Sequence, residues 1–252
     1  MAVDILTVRG TGEPFQGANN MLTHVTALLD PAKFRIIGDV SYPATVGEAG
    51  AGWTVCGTSE NESVSEGVVN LANLIRSTPN TVGVLGYSLG AEVVSRFLEA
   101  QARGEYSDCG IAFTATIANP LRRVADSIDP YPRGYGINGQ MQATPPHQHF
   151  ECANPADAIT SCLPESPLRT LADTVSAFSL AQLGGWTQDL TDRLLRRRWQ
   201  PVSFGDLLHP RQMWDLYTAA ATDVLGYPYQ HTAVYVQDGY CDRLAAIINA
   251  NN

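Results

Sequence analysis

The sequence predicts an α/β fold in which a central, mostly parallel sheet is flanked by helices. Short apolar runs rich in β-branched residues alternate along the chain with stretches whose apolar residues recur at helical spacing. The run Thr81–Leu85 is apolar without polar alternation, which is typical of a strand covered on both faces by helices. Since strands that alternate with helices pair in parallel, an open parallel sheet is expected.

Each predicted element has a local signal in the chain. Strands are predicted at Val3–Val8, Phe34–Val40, Thr81–Leu85, Ile111–Ala118 and, as a short strand, His149–Glu151. Helices are predicted at Asn20–Leu29, from a capping box at Ser63 and Glu66 onward, at Ala91–Ala102 and within Asp238–Ala250. The Gly-, Pro- and Tyr-rich stretch Pro130–Pro146 predicts a long surface loop near the carboxyl edge of the sheet.

The length of 252 residues suits one globular unit with an insertion. Leu168–Leu225 shows helical periodicity and no strand signal, whereas strand and helix signals dominate before it. We therefore predict an α/β core over residues 1–167, a helical insertion over 168–225 and a return to the core over 226–252.

Charge and composition exclude several classes of function. The chain carries 25 acidic and 16 basic side chains, a formal net charge of -9, so a phosphate backbone is repelled and nucleic acid is not expected as a partner. No stretch approaches the roughly 20 apolar residues that a membrane span needs. The first residues lack the basic and apolar regions of an export signal, so none is expected.

The segment Gly86–Gly90 carries the pattern G-x-S-x-G, which is typical of the nucleophile elbow of α/β hydrolases. In that turn a serine lies between a buried strand and a helix, and glycines are needed because side chains would collide with neighbouring backbone. Ser88 has a predicted strand before it and a predicted helix after it. The sequence therefore predicts an α/β-hydrolase fold with Ser88 as nucleophile; a tight turn with a helix-capping serine is the alternative.

A serine hydroxyl needs a base to accept its proton and an acid to orient that base. In this fold they follow in the order serine, acid, histidine. Four histidines follow Ser88: His147, His149, His209 and His231. The first two come too early to leave room for the acid, and His209 precedes a proline at a predicted helix start. His231, after a predicted loop at residues 226–230, is therefore the predicted base.

Asp157 is the predicted acid. It follows a segment, His149–Glu151, that resembles a short strand, and the turn Asn154–Ala156 at the end of that strand. The competing carboxylates are Asp126, Asp129 and Asp173.

Cysteine spacing adds a prediction about the acid. Cys152 and Cys162 lie symmetrically around Asp157, and a disulfide between them would close a loop of about ten residues and stiffen it. Pairing of Cys56, Cys109 and Cys241 is left open. No CxxC pattern occurs, so no zinc site is expected.

The oxyanion of an acyl-transfer intermediate needs two hydrogen-bond donors, each worth roughly 10²- to 10³-fold in rate. One predicted donor is the backbone N–H of Leu89, at the amino end of the nucleophile helix, where the helix dipole also helps. The other is Thr11, in the loop Gly10–Gly12, which offers both an N–H and a hydroxyl. The alternative is that these glycines only turn the chain.

Together these motifs resemble the lysin B enzymes of mycobacteriophages, which belong to the cutinase-like α/β hydrolases. The matching segments are Thr7–Gly12, Gly86–Ala91, Ala118–Arg122 and the late His231, Thr232 and Tyr235. Carried over to this sequence, the resemblance implies a triad of Ser88, Asp157 and His231 with Thr11 and Leu89 in the oxyanion hole. The cysteine pair around the acid is also similar to the disulfide of cutinases.

The resemblance implies a serine esterase that hydrolyses the ester between mycolic acids and arabinogalactan of the mycobacterial envelope during phage-mediated host lysis. Such an enzyme requires no cofactor or metal. It would be made in the host cytoplasm and act at the envelope after release. Two alternatives remain: a cutinase or lipase acting on other lipid esters, and an inactive envelope-binding module.

The predicted insertion carries aromatic and basic side chains. Trp186, Trp199 and Trp214 accompany the cluster Arg196–Arg198 in an otherwise acidic protein. This face is expected either to meet glycolipid or anionic envelope, or to be a solvated helix face with its tryptophans packed in the core.

Overall fold

A parallel β-sheet forms the centre of the protein, as the sequence predicts. The computed structural model describes residues 2–45, 60–169, 220, 222–223 and 226–252. Within them the strands are β1 (Val3–Val8), β2 (Phe34–Asp39), β3 (Val82–Tyr87), β4 (Ile111–Ile117) and β5 (Gln148–Cys152). Their order is β2-β1-β3-β4-β5, and every neighbouring pair is parallel.

Helices cover both faces of the sheet. The helices used below are α1 (Met21–Thr26), α2 (Glu60–Arg76), α3 (Leu89–Ala102), α4 (Val234–Gln237) and α5 (Tyr240–Asn251). A π-helical turn, Tyr229–Ala233, leads directly into α4. Helices α2 and α3 contact each other on one face, and α1 and α5 contact each other on the opposite face.

The alternation of side chains along each strand explains the two cores. In β3, where every residue is buried, Val84 packs with the α2 and α3 side chains while Leu85 packs with those of α1 and α5. In β1, Leu6 and Ile5 divide in the same way. Strand β3, which is buried on both faces, is therefore apolar along its whole length, as the sequence predicts.

The strand order places a crevice at the carboxyl edge of the sheet. The chain passes from β1 outward to β2, and then returns to form β3 on the other side of β1. The loops after β1 and β3 therefore leave the sheet side by side, at the point where ligands bind in open α/β sheets. This edge positions the loop with Thr11 next to Ser88.

The predicted α/β-hydrolase fold is confirmed, and two local predictions are wrong. Ser63 is not a helix cap but lies buried inside α2, where its hydroxyl accepts a hydrogen bond from the Thr45 N–H (3.3 Å). Residues 226–230, predicted as a loop, are helical. The division into core and insertion stays a prediction, because nearly all of residues 168–225 lie outside the described residues.

Candidate active site

Ser88 lies on a strained turn between β3 and α3. Its backbone angles, φ 55° and ψ −119°, belong to a region that residues with side chains rarely adopt. Glycines permit the turn: a Cβ on Gly86 would lie 2.8 Å from the Cα of Ala91, and one on Gly90 would overlap the carbonyl oxygen of Val8. The crowding that the G-x-S-x-G pattern predicts is therefore present, and the turn holds the hydroxyl at the sheet edge.

Three predicted side chains meet at this edge. Ser88 Oγ lies 2.8 Å from His231 Nε2, and His231 Nδ1 lies 2.9 Å from Asp157 Oδ2. All three residues are buried, with exposures of 2%, 4% and 0% for Ser88, His231 and Asp157. Because an ionised carboxylate only accepts hydrogen bonds, the Nδ1–H donates to Asp157 and Nε2 is left to accept from the serine hydroxyl.

Two tyrosine rings hold the imidazole. The rings of Tyr87 and Tyr227 stack on His231, with centroids 5.5 and 4.8 Å away. The Tyr87 hydroxyl also donates to the backbone carbonyl of His231 (2.8 Å). Tyr87 is the residue before the serine, so the same turn that presents Ser88 also fixes the segment that carries His231. Sequence reasoning missed both tyrosines, since the contacts join distant parts of the chain.

The carboxylate of Asp157 accepts three hydrogen bonds. Oδ2 accepts from His231 Nδ1–H and from the Tyr235 hydroxyl (2.9 Å), and Oδ1 accepts from the Ile159 N–H (3.0 Å). Nearby, the Asn154 side chain donates to the backbone and side-chain oxygens of Gln230, both at 2.9 Å. The segment after β5 and the segment that carries His231 are therefore tied together at several points.

A buried guanidinium supports the loop that carries Asp157. Arg122 is fully buried, and its Nε donates to the carbonyl of Thr160 (2.8 Å). Its other nitrogens donate to backbone carbonyls of residues 123, 126, 133 and 134. Burial lowers the pKa of this side chain below its ordinary value. Arg122 thus fixes the acid loop against neighbouring loops through backbone groups, which its place in the sequence does not reveal.

The predicted oxyanion donors lie beside Ser88. Leu89 is the first residue of α3, where no carbonyl of the helix can accept its N–H. The buried Thr11 hydroxyl has no hydrogen-bond partner among the described residues, and Thr11 lines the cavity that contains Ser88. A buried hydroxyl without a partner is rare in proteins, and an oxyanion would supply one here.

Glu13 fixes the loop that carries Thr11. Its carboxylate accepts hydrogen bonds from the N–H groups of Gly10 (2.7 Å) and Met21 (2.6 Å), which joins the loop after β1 to the start of α1. Burial raises the pKa of Glu13 above its ordinary value. Sequence reasoning missed this residue.

A cavity of about 620 Å³ opens at Ser88 and His231. Residues 11–14 and 17–20 of the loop after β1 form one wall, and residues 227, 228, 231 and 232 contribute to the other. A second cavity, of about 310 Å³, shares Gly17, Ala18 and Asn20 with the first. Ser88 and His231 therefore face a groove that has room for part of a substrate.

The competing residues lie elsewhere or have other partners. The His149 ring is hydrogen-bonded to the Thr114 hydroxyl (2.7 Å) and to the Glu151 carboxylate (2.9 Å). Burial lowers the pKa of the neighbouring His147 to about 4. Asp126 pairs with Arg123, and Asp129 pairs with Arg243, each at 2.8 Å. His209 and Asp173 lie outside the described residues.

The predicted disulfide between Cys152 and Cys162 is wrong. Both thiols are free and buried. Cys152 packs in the core on the α1 and α5 face, where its thiol lies 3.8 Å from the carbonyl oxygen of Tyr240, whereas Cys162 packs in the core on the α2 and α3 face. The two thiols lie on opposite faces of the sheet, so their symmetric spacing around Asp157 in the sequence does not bring the sulfurs together. Cys109 and Cys241 are also free, and Cys56 lies outside the described residues.

The remaining predictions concern the helical insertion, membrane-spanning segments and metal sites. The tryptophans and arginines of the predicted insertion lie outside the described residues. Among the residues that are described, no helix is both long and apolar enough to cross a bilayer. In the same part of the chain, no group of His, Cys, Asp and Glu side chains is arranged to hold a metal ion.

Comparison with known families adds to this geometry. The model of the PE-PPE domain matches residues 36–178, which is more than half of the chain and includes Ser88 and Asp157. The chain belongs to the PE-PPE domain family. The likeness to lysin B is therefore a resemblance beside this membership, and the PE-PPE match ends before His231. None of the curated proteins compared with the chain matches it.

Several solved structures are similar to this chain. The catalytic core domain of acetyl xylan esterase from Trichoderma reesei is 20% identical, with a TM-score of 0.43 over 72% of this chain and 98% of that one. Lysin B from Mycobacteriophage D29 is 15% identical, with a TM-score of 0.46 over 91% and 90%. A cutinase-like protein from Cryptococcus sp. is 17% identical, with a TM-score of 0.41 over 75% and 93%. At these identities and scores, each activity belongs to the protein so named.

Proposed function

We propose that this protein is a serine esterase that works through an acyl-enzyme. One observation carries the proposal: a serine on a strained strand-to-helix turn lies 2.8 Å from a histidine nitrogen whose other nitrogen lies 2.9 Å from a buried carboxylate. A hydroxyl becomes an effective nucleophile when an oriented base accepts its proton. Ser88, His231 and Asp157 have the geometry that this requires.

The reaction has two halves. Ser88 Oγ attacks the ester carbonyl while His231 Nε2 accepts its proton, and the imidazolium is stabilised by Asp157. The oxyanion receives hydrogen bonds from Thr11 and from the Leu89 N–H. His231 then gives its proton to the departing alcohol oxygen, which leaves an acyl group on Ser88. Water, deprotonated by His231, attacks this acyl group and releases the carboxylic acid with the serine regenerated.

The finer part of the proposal concerns the substrate. The motifs around Thr11, Ser88, Arg122 and His231 resemble those of lysin B enzymes, which favours the ester between mycolic acids and arabinogalactan. The groove beside Ser88 has room for a lipid acyl segment. With this substrate the protein would act at the mycobacterial envelope, after release from the cytoplasm in which it is made, during phage-mediated lysis.

Hydrolysis of two substrates tests the proposal. The purified full chain is assayed with short p-nitrophenyl esters and with purified mycolyl-arabinogalactan, in parallel with Ser88→Ala and with Ser77→Ala, an exposed serine on the same stretch of chain. We expect turnover of both substrates by the wild type and by Ser77→Ala, and none by Ser88→Ala. Turnover of the p-nitrophenyl esters alone would refute the mycolyl substrate and favour a cutinase-type esterase.

A binding module is the result that would overturn the activity itself. If the wild type binds purified envelope but releases no product from either substrate, and Ser88→Ala binds equally well, then the fold is an inactive hydrolase that only holds its ligand. A separate experiment tests the place of action: when the protein is added to intact mycobacteria, we expect mycolic acids to be released from their surface. Failure on cells with success on the purified substrate would refute only the proposed place of action.

A further inference from the structure

The hydroxyl of Tyr235 shares an acceptor with the proposed base. It lies 2.9 Å from Asp157 Oδ2, the same oxygen that accepts from His231 Nδ1. Tyr235 is fully buried, and its hydroxyl also lies 3.1 Å from the backbone nitrogen of Asn154. A hydroxyl placed between these two groups is held on both sides.

The position of the phenolic proton follows from the two partners. The Asn154 N–H can only donate, so the Tyr235 oxygen accepts there. Oδ2 of Asp157 is the acceptor on the other side, so the single proton of the phenol points at Oδ2. Burial also raises the pKa of Tyr235 well above its ordinary value, which favours the protonated phenol that donates here.

Tyr235 and His231 belong to one rigid stretch of chain. His231 lies in the π-helical turn and Tyr235 lies in α4, four residues later and so about one turn on, without an intervening loop. Asp157 and Asn154 belong to the facing segment after β5. The pair of hydrogen bonds through Tyr235 therefore spans the two segments beside the His231–Asp157 bond and fixes their distance.

We propose that Tyr235 is a positioning residue that sets both the orientation of Asp157 and the basicity of His231, an inference that rests on the proposed esterase function. A donor on Oδ2 withdraws negative charge from the atom that faces the imidazole. The carboxylate therefore stabilises the imidazolium less than it would with that hydrogen bond removed. The pH dependence of the esterase is thus a direct measure of this contact.

The variant Tyr235→Phe removes the hydroxyl and leaves the ring. We expect kcat on a p-nitrophenyl ester to fall about tenfold with little change in KM, because the lost contact concerns the proton-transfer groups and not the groove. We also expect the acid limb of the kcat/KM profile to move to higher pH by about half a unit, since the free carboxylate holds the imidazolium more strongly. A residue that only stabilises the fold would lower the melting temperature without moving that limb.

Tyr240→Phe is the matched control. The Tyr240 ring packs edge-on against Tyr235 with centroids 5.3 Å apart, and its hydroxyl is not among the groups that contact Asp157. We expect wild-type kcat and an unmoved acid limb for this variant. An equal shift in both variants would refute the proposal, because the effect would then come from general loosening of the packed rings.

Replacement of Tyr235 by 3-fluorotyrosine tests the sign without removing the group. Fluorine makes the phenol a stronger donor, so we expect the acid limb to move to lower pH, opposite to Tyr235→Phe. The fluorinated protein retains the hydroxyl, so it still tests the proposal if Tyr235→Phe does not fold. A limb that stays in place, or moves upward, in the fluorinated protein contradicts the proposal even if Tyr235→Phe is inactive.

Failure of this inference is distinguishable from failure of the proposed function. If the wild type has no activity that depends on Ser88, the esterase proposal itself fails. If the wild type is active and the fluorinated and Phe variants share its pH profile, then the esterase stands and only the role of Tyr235 is refuted.

Discussion

Replacement of Asp157 by Asn changes charge and hydrogen bonding at the centre of the proposed triad. Three donors face the carboxylate: the N–H of Ile159 at Oδ1, and His231 with the Tyr235 hydroxyl at Oδ2. An amide has one oxygen and one NH₂ group, so it cannot accept at both positions. If the oxygen faces His231, the NH₂ opposes the Ile159 N–H, and a buried donor lacks an acceptor.

The opposite orientation of the amide inactivates the histidine. If the oxygen faces Ile159, the NH₂ group faces His231 Nδ1 and forces the tautomer that carries its proton on Nε2. That nitrogen lies 2.8 Å from Ser88 Oγ and then has no lone pair to accept the serine proton. In serine proteases the corresponding change lowers kcat about 10⁴-fold, equivalent to about 5.4 kcal/mol of activation free energy, and we expect a similar loss here.

The assay measures kcat on a p-nitrophenyl ester and the free energy of unfolding in urea. We expect the 10⁴-fold loss in kcat with a stability loss of only about 1–3 kcal/mol, because one buried group lacks a partner in either orientation. Asp126→Asn is the matched control, since this carboxylate pairs with Arg123 away from the site. A kcat within tenfold of wild type for Asp157→Asn, or an equal loss in the control, would refute the proposed role of Asp157.

Three further predictions concern the scaffold and its pH dependence. Gly90→Ala forces a Cβ onto the carbonyl oxygen of Val8, so we expect about 3 kcal/mol or more of lost stability in urea unfolding; stability like that of wild type would contradict the close approach of α3 to β1. Arg122→Lys keeps the charge but cannot reproduce the several hydrogen bonds that the guanidinium donates to backbone carbonyls, so we expect a lower melting temperature and faster proteolysis after residue 122. Unchanged values would show that the loop carrying Asp157 does not depend on the Arg122 side chain. Arg35 donates twice to Asp4 at 2.8 Å and holds the pKa of that carboxyl at about 2. Arg35→Gln raises this pKa, so the stabilisation that is complete above the unfolded pKa of 3.8 is lost at a higher pH than in wild type. Unfolding curves of the two proteins that superimpose from pH 2 to pH 5 would show that this ion pair does not set the acid stability.

Local patterns in the sequence predicted the strands, the main helices and the turn at Ser88. These features depend on neighbours in the chain: β3 is apolar because both of its faces are covered, and Gly86 and Gly90 are small because α3 approaches β1 closely. The order of serine, acid and histidine then selected Asp157 and His231, because the fold fixes where the chain returns to the sheet edge.

The predictions that failed depend on contacts between distant residues. The Ser63 capping box matches a local pattern, but the serine lies inside α2, where burial decides its role. Cys152 and Cys162 are close in sequence and lie in cores on opposite faces of the sheet. No local pattern indicates that Tyr87 donates to the His231 carbonyl or that Tyr235 donates to Asp157, since these bonds exist only when β3, β5 and α4 are assembled.

Covalent labelling tests the central claim most directly. The full chain is treated with a fluorophosphonate, digested with trypsin and analysed by mass spectrometry, with the fragment between Arg76 and Arg96 carrying Ser88. We expect one equivalent of label, placed on Ser88 rather than on Ser77 or Ser95 by fragmentation, and hydrolysis of p-nitrophenyl esters lost in proportion. Protein that hydrolyses these esters while Ser88 remains unlabelled, or that is labelled at another residue with loss of activity, would contradict the account.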